Sequence, residues 1–188
     1  MEERRKVWYN RLRNLESRYW RKNMVSLQIE EIKEFTRQLF IGTTFDHFLL
    51  REAQIMTFNS FQIDGRIRPD YYSAEEREEQ GIEGFSAWLA LRPFCFSLIK
   101  GKRLPESFHI VLQLSGRAQE AFLRDRQTGF ASSEVNGLYL NIRYEDKRLS
   151  CVTGTSVSRF TLDKTLEHEW DGAVKEFLKK KNIPFEEK

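Results

Sequence analysis

The stretch that most constrains this chain is "NGLYLNIRYEDKRLSCVTGTS", residues 136–156. Leu138, Leu140, Ile142 and Tyr144 alternate with Tyr139, Asn141 and Arg143. Leu149, Cys151 and Thr153 alternate beyond "EDKR". A period of two sends successive side chains to opposite faces of a strand. The stretch therefore predicts a hairpin with one apolar face and a turn at "EDKR".

A second hairpin is expected in "TFDHFLLREAQIMTFNSFQIDGRI". Alternation shows in "QIMTF" and "SFQI", the turn falls near Asn59 and Ser60, and Asp64-Gly65 signals a turn or bulge. "SFHIVLQL" reads as a single strand whose apolar run predicts burial on both faces. Thr153, Gly154, Thr155 and Ser156 read as a β-bulge, with a polar ligand site as the alternative.

The helical segments carry different signals. "LQIEEIKEFTRQLFIG" has a stripe of Ile29, Ile32, Phe35 (or Thr36), Leu39 and Phe40, with Ser26 as N-cap and Gly42 as stop. Ser73 and Glu76 form a capping box for "AEEREEQ", which ends at Gly81. In "FSAWLALRPFCFSLIKGK", Ser86 caps, and Trp88, Leu91, Cys95, Leu98 and Ile99 share a face. Phe94 and Phe96 make the remainder apolar, which predicts burial on most sides, and Pro93 either kinks the helix or starts a second one. "GRAQEAFLRDRQ" is a short helix. "DKTLEHEWDGAVKEFLKKKN" is an amphipathic helix capped by Asp163 or Thr161, with Leu166, Trp170, Ala173 or Val174, and Phe177 on one face. Lys179, Lys180 and Lys181 complement its negative end.

The expected order is α-β-β-α-α-β-α-β-β-α. This is an α+β fold in a single domain, residues 24–188. Its mostly antiparallel sheet of about five strands (two hairpins plus a central strand) is packed with helices and ends on the C-terminal amphipathic helix. Fifteen Phe, six Tyr and four Trp supply a core and argue against disorder of the bulk. No run approaches the ~18 apolar residues of a membrane helix, and no signal peptide opens the chain. Cys95 and Cys151 lie in apolar runs, which fits core thiols in a reducing compartment, and the expected location is cytoplasmic.

The basic charge is segregated. Residues 1–23 hold eight Lys/Arg and three Glu, whereas the remainder carries a net −2. Trp8, Leu12, Leu15 and Tyr19 recur at helical spacing in this N-terminal extension. Residues 4–22 could thus meet an acidic partner or nucleic acid, and no membrane is expected as a partner. The alternative is a loose helix or the product of an upstream start codon, because Met24 opens a fresh segment.

Candidate chemistry is sparse. "LIKGKRLPESFHIVLQLSG" runs helix, glycine, strand, the reverse of a phosphate-binding loop. Gly101 fits a left-handed helix stop, and Lys100 and Lys102 suit the negative helix end. What survives is an anion clamp of Lys102 and Arg103, with Arg66. His47 and His168 are the candidate general bases. Asp171 lies three residues beyond His168 on a helix, whereas Asp46 points away from His47 along a strand. The three histidines and two cysteines give no zinc spacing, so no metal and no cofactor are expected. "NIRYEDKR" faintly resembles a strand reader of single-stranded nucleic acid, against which the body's acidity weighs.

The segments "TFDHFLL", "FQIDGRI", "LRPFCFSLIKGKRLPESFHIVLQL", "GLYLNIRYED" and "LSCVTGTSVSRFTLDKTLEHEWD" resemble an uncharacterised bacterial family of small cytoplasmic proteins, a domain of unknown function. The resemblance spans about residues 28–185, leaves out residues 1–23, and implies no catalytic residue. The expectation is an uncharacterised protein, a binding or interaction module rather than an enzyme. A hydrolase or transferase acting on a phosphate-bearing or acidic substrate is one alternative. Nucleic-acid association through the N-terminal helix is the other. Partner, substrate and oligomeric state are not legible.

Overall fold

A computed structural model describes residues 25–68 and 70–188, so the expected basic N-terminal helix lies outside the described residues. The elements are β1 (Ser26–Ile29), α1 (Ile32–Phe40), β2 (Phe48–Met56), β3 (Ser60–Asp64), α2 (Ala74–Gln80), α3 (Trp88–Ile99) and β4 (Ser107–Leu114). They continue with α4 (Gly116–Asp125), a 3-10 turn (Ser132–Glu134), β5 (Val135–Glu145), β6 (Arg148–Val157), α5 (Thr165–Lys180) and β7 (Phe185–Glu187). One sheet runs β3-β2-β4-β5-β6-β1-β7, with every neighbouring pair antiparallel.

The central hairpin forms as its alternation dictates. Leu138, Leu140, Ile142 and Tyr144 of β5 are buried, and opposite them Leu149, Cys151 and Thr153 of β6 are buried too. Asp146 and Lys147 both take positive φ, 51° and 59°, at the two-residue turn, the backbone twist that antiparallel hairpins favour. The second hairpin, β2 and β3, turns over residues 57–59. Gly65, just after β3, is mandatory, because a Cβ on it would sit 1.8 Å from the Leu50 carbonyl oxygen. The β2–β4 register slips between Leu50 and Glu52, a bulge beside that contact.

Among the described residues the sheet holds seven strands rather than about five. Residues 26–29 are not the start of a helix: β1 pairs with β6 on one side and β7 on the other. Its Leu27 and Ile29 are buried while Ser26 and Gln28 are not, a strand period of two that the following helical stripe masks. Ser26 is therefore no N-cap; α1 begins after Glu31 without a side-chain cap. β7 consists of three residues after Pro184, and the pairing partner fixes it rather than its own propensity.

Four further expectations change. β4 buries Phe108, Ile110 and Leu112 on one face and only partly shields the other, because among the described residues the helices lie on one side. α3 includes Pro93 within one helix and leaves Leu89 and Phe94 exposed, so it is not buried all round, and Ser86 gives it no side-chain cap. Lys100 ends that helix in an extended conformation, and Gly101 has no positive φ. The bulge expected at residues 153–156 sits in the partner strand, at the register slip between Val135 and Gly137.

Helices α1, α3, α4 and α5 cover the same apolar face. An aromatic chain runs through the layer between them: Phe40 of α1 meets Trp88 of α3 and Phe108 of β4, and Phe177 of α5 meets Phe45 and Phe48. Phe122 of α4 packs edge-on against Trp170 of α5. The Trp170 indole N–H donates to the Tyr139 carbonyl at 2.9 Å, which ties α5 to β5. α2, by contrast, buries no side chain. Among the described residues the fold is thus two layers, helices over a sheet, with no helix layer on the sheet's second face.

Candidate functional site

The structure sets His47 apart from Lys102 and Arg103. His47 is exposed just before β2, whose first residue Phe48 pairs with Leu114 at the end of β4. Lys102 and Arg103 are exposed in the connection that enters the other end of β4, at Ser107. Eight residues of strand separate the two ends, roughly 25 Å. Asp46 is engaged elsewhere: with Gly42 O it receives the Arg92 guanidinium, and the Arg92–Asp46 ion pair is 2.6 Å long with both side chains mostly buried. Arg66 lies beside Phe85, and its backbone N–H donates to Asp64 Oδ1 at 2.9 Å.

His168 and Asp171 share α5, but the Asp171 carboxylate turns to the sheet and accepts from the Thr153 hydroxyl. Half-burial pushes the Asp171 carboxyl above its ordinary range, an effect the Thr153 hydrogen bond and nearby Lys175 partly oppose. His168 stays exposed. Asp171 is thus a latch between α5 and β6 rather than an orienting group for an imidazole. Among the described residues, no group of three or more His, Cys, Asp or Glu is placed to hold a metal ion. Both cysteines are buried and free, and burial raises both thiols, Cys95 to about 12.

The uncovered sheet face has a pattern of its own. Register places Gln62 beside Gln54, Gln54 beside His109, and His109 beside Arg143. The row continues through Ser150 and Gln28 to Glu186. One unbroken row of polar side chains therefore crosses all seven strands, on the face opposite the buried Phe108, Ile142 and Cys151. Six strand spacings make it about 29 Å wide. The next row holds Asp64, Glu52, Val111, Asn141, Val152 and Ser26.

Local bonds hold this face in place. Gln28 Nε2 donates to the Leu149 carbonyl at 2.9 Å, and Asn141 Nδ2 to the Val152 carbonyl at 3.2 Å. Arg143 pairs with Glu145. Burial and the adjacent Arg143 charge lower the His109 pKa, so its imidazole is neutral at pH 7. Near the β5–β6 turn the face dips into a cleft of about 410 Å³ lined by Gln28, Arg143, Glu145, Asp146, Arg148 and Ser150. At the opposite corner, Arg51 lies 3.8 Å over the Phe85 ring and 5.8 Å from the Tyr139 centroid.

Sequence reasoning missed this face as a unit. Asn141 and Arg143 were legible as the polar phase of one strand. Alignment of that phase with Gln54, His109, Ser150 and Gln28 depends on cross-strand register, which a single sequence does not carry. Tyr144, part of the resemblance to a nucleic-acid reader, stacks on Phe108 on the covered face, 5.2 Å between centroids.

The chain matches the model of a family of unknown function (DUF5721) over residues 38–186. Comparison with curated proteins and with solved structures finds no match. The family match omits β1 and most of α1, although β1 is an inner strand of the sheet.

Proposed function

We propose that this chain, which belongs to the family of unknown function DUF5721, is a non-catalytic binding module. Its partner is a macromolecule, engaged through the uncovered face of the sheet. The observation that carries the reading is the polar row from Gln62 to Glu186. Strand positions half-shielded by neighbours favour β-branched and aromatic residues. Here they are filled by Gln54, His109, Arg143, Ser150 and Gln28, polar side chains that strands disfavour. A width of about 29 Å suits a protein-sized footprint rather than one small molecule. The cleft with Arg143 and Arg148 gives that surface a recess for one polar side chain of the partner.

A hydrolase or transferase using His47 or His168 with Lys102, Arg103 and Arg66 would need those groups to gather round one substrate. The separation of His47 from Lys102 and Arg103 along β4 weighs against it. Nucleic-acid association through residues 4–22 is a separate proposal; a salt titration of DNA binding by the full chain and by residues 24–188 decides it. We also take residues 24–188 to be one domain working in the bacterial cytoplasm. Two thiols buried without a disulfide support that location.

The test is quantitative affinity purification from the cell that makes the protein. Wild type, Asn141→Glu, Ser150→Glu and, on the helix side, Ala90→Glu serve as baits. The reading expects a partner enriched by wild type and Ala90→Glu and lost with both face variants. A partner retained by both face variants contradicts it.

A further inference from the structure

The sheet has two edges, and they differ. β7 is three residues long and carries Glu186 and Glu187, with Lys188 beyond, a short and charged edge that discourages pairing. β3, "SFQID", has no Lys, Arg or Pro. Its side chains alternate exposed and half-buried along all five residues. Its one charge, Asp64, stands at its last residue, so the middle of the strand is not blunted as an edge.

The unused backbone groups of β3 can be identified. Thr57 N donates to Asn59 O at 2.9 Å and Gly65 N to Arg51 O at 3.1 Å. Bonded pairs alternate along an antiparallel ladder. With the observed register, the bonded pairs between these limits are Ile55 with Phe61 and Ala53 with Ile63. The N–H and C=O groups of Ser60, Gln62 and Asp64 therefore point away from the sheet.

We propose that β3 is the docking edge for a second copy of this chain, antiparallel, with a two-fold axis through Gln62. The inference rests on the outward backbone groups of the edge, although Gln62 is also the first residue of the polar row. A two-fold contact must be complementary to itself, and this strand is. Centred on Gln62, the register sets Gln62 opposite Gln62 of the second copy, so the outward groups of both exchange two backbone bonds. Ser60 then falls opposite Asp64 and Asp64 opposite Ser60, which adds four more. Phe61 meets Ile63 on the core side. The strand's single charge meets a hydroxyl rather than its own copy, and Phe61 with Ile63 is an aromatic–β-branched pair of a favourable kind. Extended two residues, the same register brings Phe58, 86% exposed at the turn, beside Arg66 of the second copy. That is an aromatic–cation pairing. The result is one continuous sheet of two chains.

The charge of residue 62 tests the axis directly. Light scattering on a sizing column should give wild type at twice the 22.5 kDa chain mass. Gln62→Lys and Gln62→Glu should each run as monomers, since each sets like charges face to face. An equimolar mixture of the two should recover the dimer. Gln62→Cys should cross-link to a dimer on oxidation, because both native thiols are buried. This covers the case in which a charged variant fails to fold. A monomeric wild type, a Gln62→Lys chain that stays dimeric, or no cross-link from Gln62→Cys overturns the proposal.

Discussion

The Trp88 indole N–H donates to the Leu39 carbonyl oxygen at 2.9 Å, in the fully buried seam between α3 and α1. The bond serves a carbonyl near the C-terminal end of α1, and it sits where Phe40 packs edge-on against the Trp88 ring. Replacing Trp88 with Phe keeps much of the apolar contact and removes the donor. The expected cost is about 1–3 kcal/mol for the unsatisfied carbonyl, plus packing lost with the smaller ring. Urea titration of the variant measures it; a loss under about 0.5 kcal/mol contradicts the assigned role.

Arg92 locks the α1–β2 connection to α3 by serving both Gly42 O and Asp46. Truncating Arg92 to Met leaves a mostly buried carboxylate and a carbonyl unserved, and should cost about 3 kcal/mol. Changing Asp46 to Asn in that background should recover part of the loss. The sign of this coupling in a double-mutant cycle is the readout.

Two glycines make opposite predictions. Gly65→Ala drives a Cβ into the Leu50 carbonyl and should be among the most damaging single changes, about 4 kcal/mol or more. Gly101→Ala meets open space at ordinary φ and should stabilise by about 0.4–1 kcal/mol through the unfolded chain. Thermal midpoints of the two variants compare them directly.

Two groups tilt the pH dependence in opposite directions. The folded His109 pKa is lowered by burial and Arg143, so below the ordinary 6.5 the unfolded chain binds the extra proton and stability falls as pH falls. The folded Asp171 pKa is raised by burial, so from the ordinary 3.8 upward the folded chain holds its proton longer and stability falls as pH rises through that window. His109→Gln should flatten the acid side below pH 6.5. Asp171→Asn, which keeps an acceptor for Thr153, should remove the decline just above pH 3.8. Urea midpoints across pH 3–8 separate the two; unchanged slopes contradict the assignments.

Burial also predicts thiol behaviour. Cys95 and Cys151 should resist a thiol reagent in the native protein and both react on unfolding, two equivalents per chain. A native equivalent titrating quickly would place one thiol outside the core.

How far the sequence reached follows from where the information lies. The two hairpins and β4 were legible because alternation and turn chemistry are local. The capping box of α2 was legible for the same reason, and Gly81 does take a left-handed φ of 59°. β1 was not, since a four-residue strand running into a helical stripe reads as more helix. β7 owes its existence to β1. α3 was misjudged because composition cannot tell an apolar helix with one exposed face from one buried all round. The candidate residues His47, Lys102 and Arg103 were chosen by type, and the length of β4 keeps them apart. The polar face is a property of register, which emerges only when the strands are aligned.

The binding role of that face is tested most directly by site-specific photo-cross-linking in the cell that makes the protein. A photoreactive residue at Ser150 or Gln28, four or more strands from the β3 edge, should capture a discrete heterologous partner. The same residue at Lys33 or Ala90, exposed on the helix side, should not. Adducts from the helix side alone, or none from Ser150 and Gln28, would contradict the account.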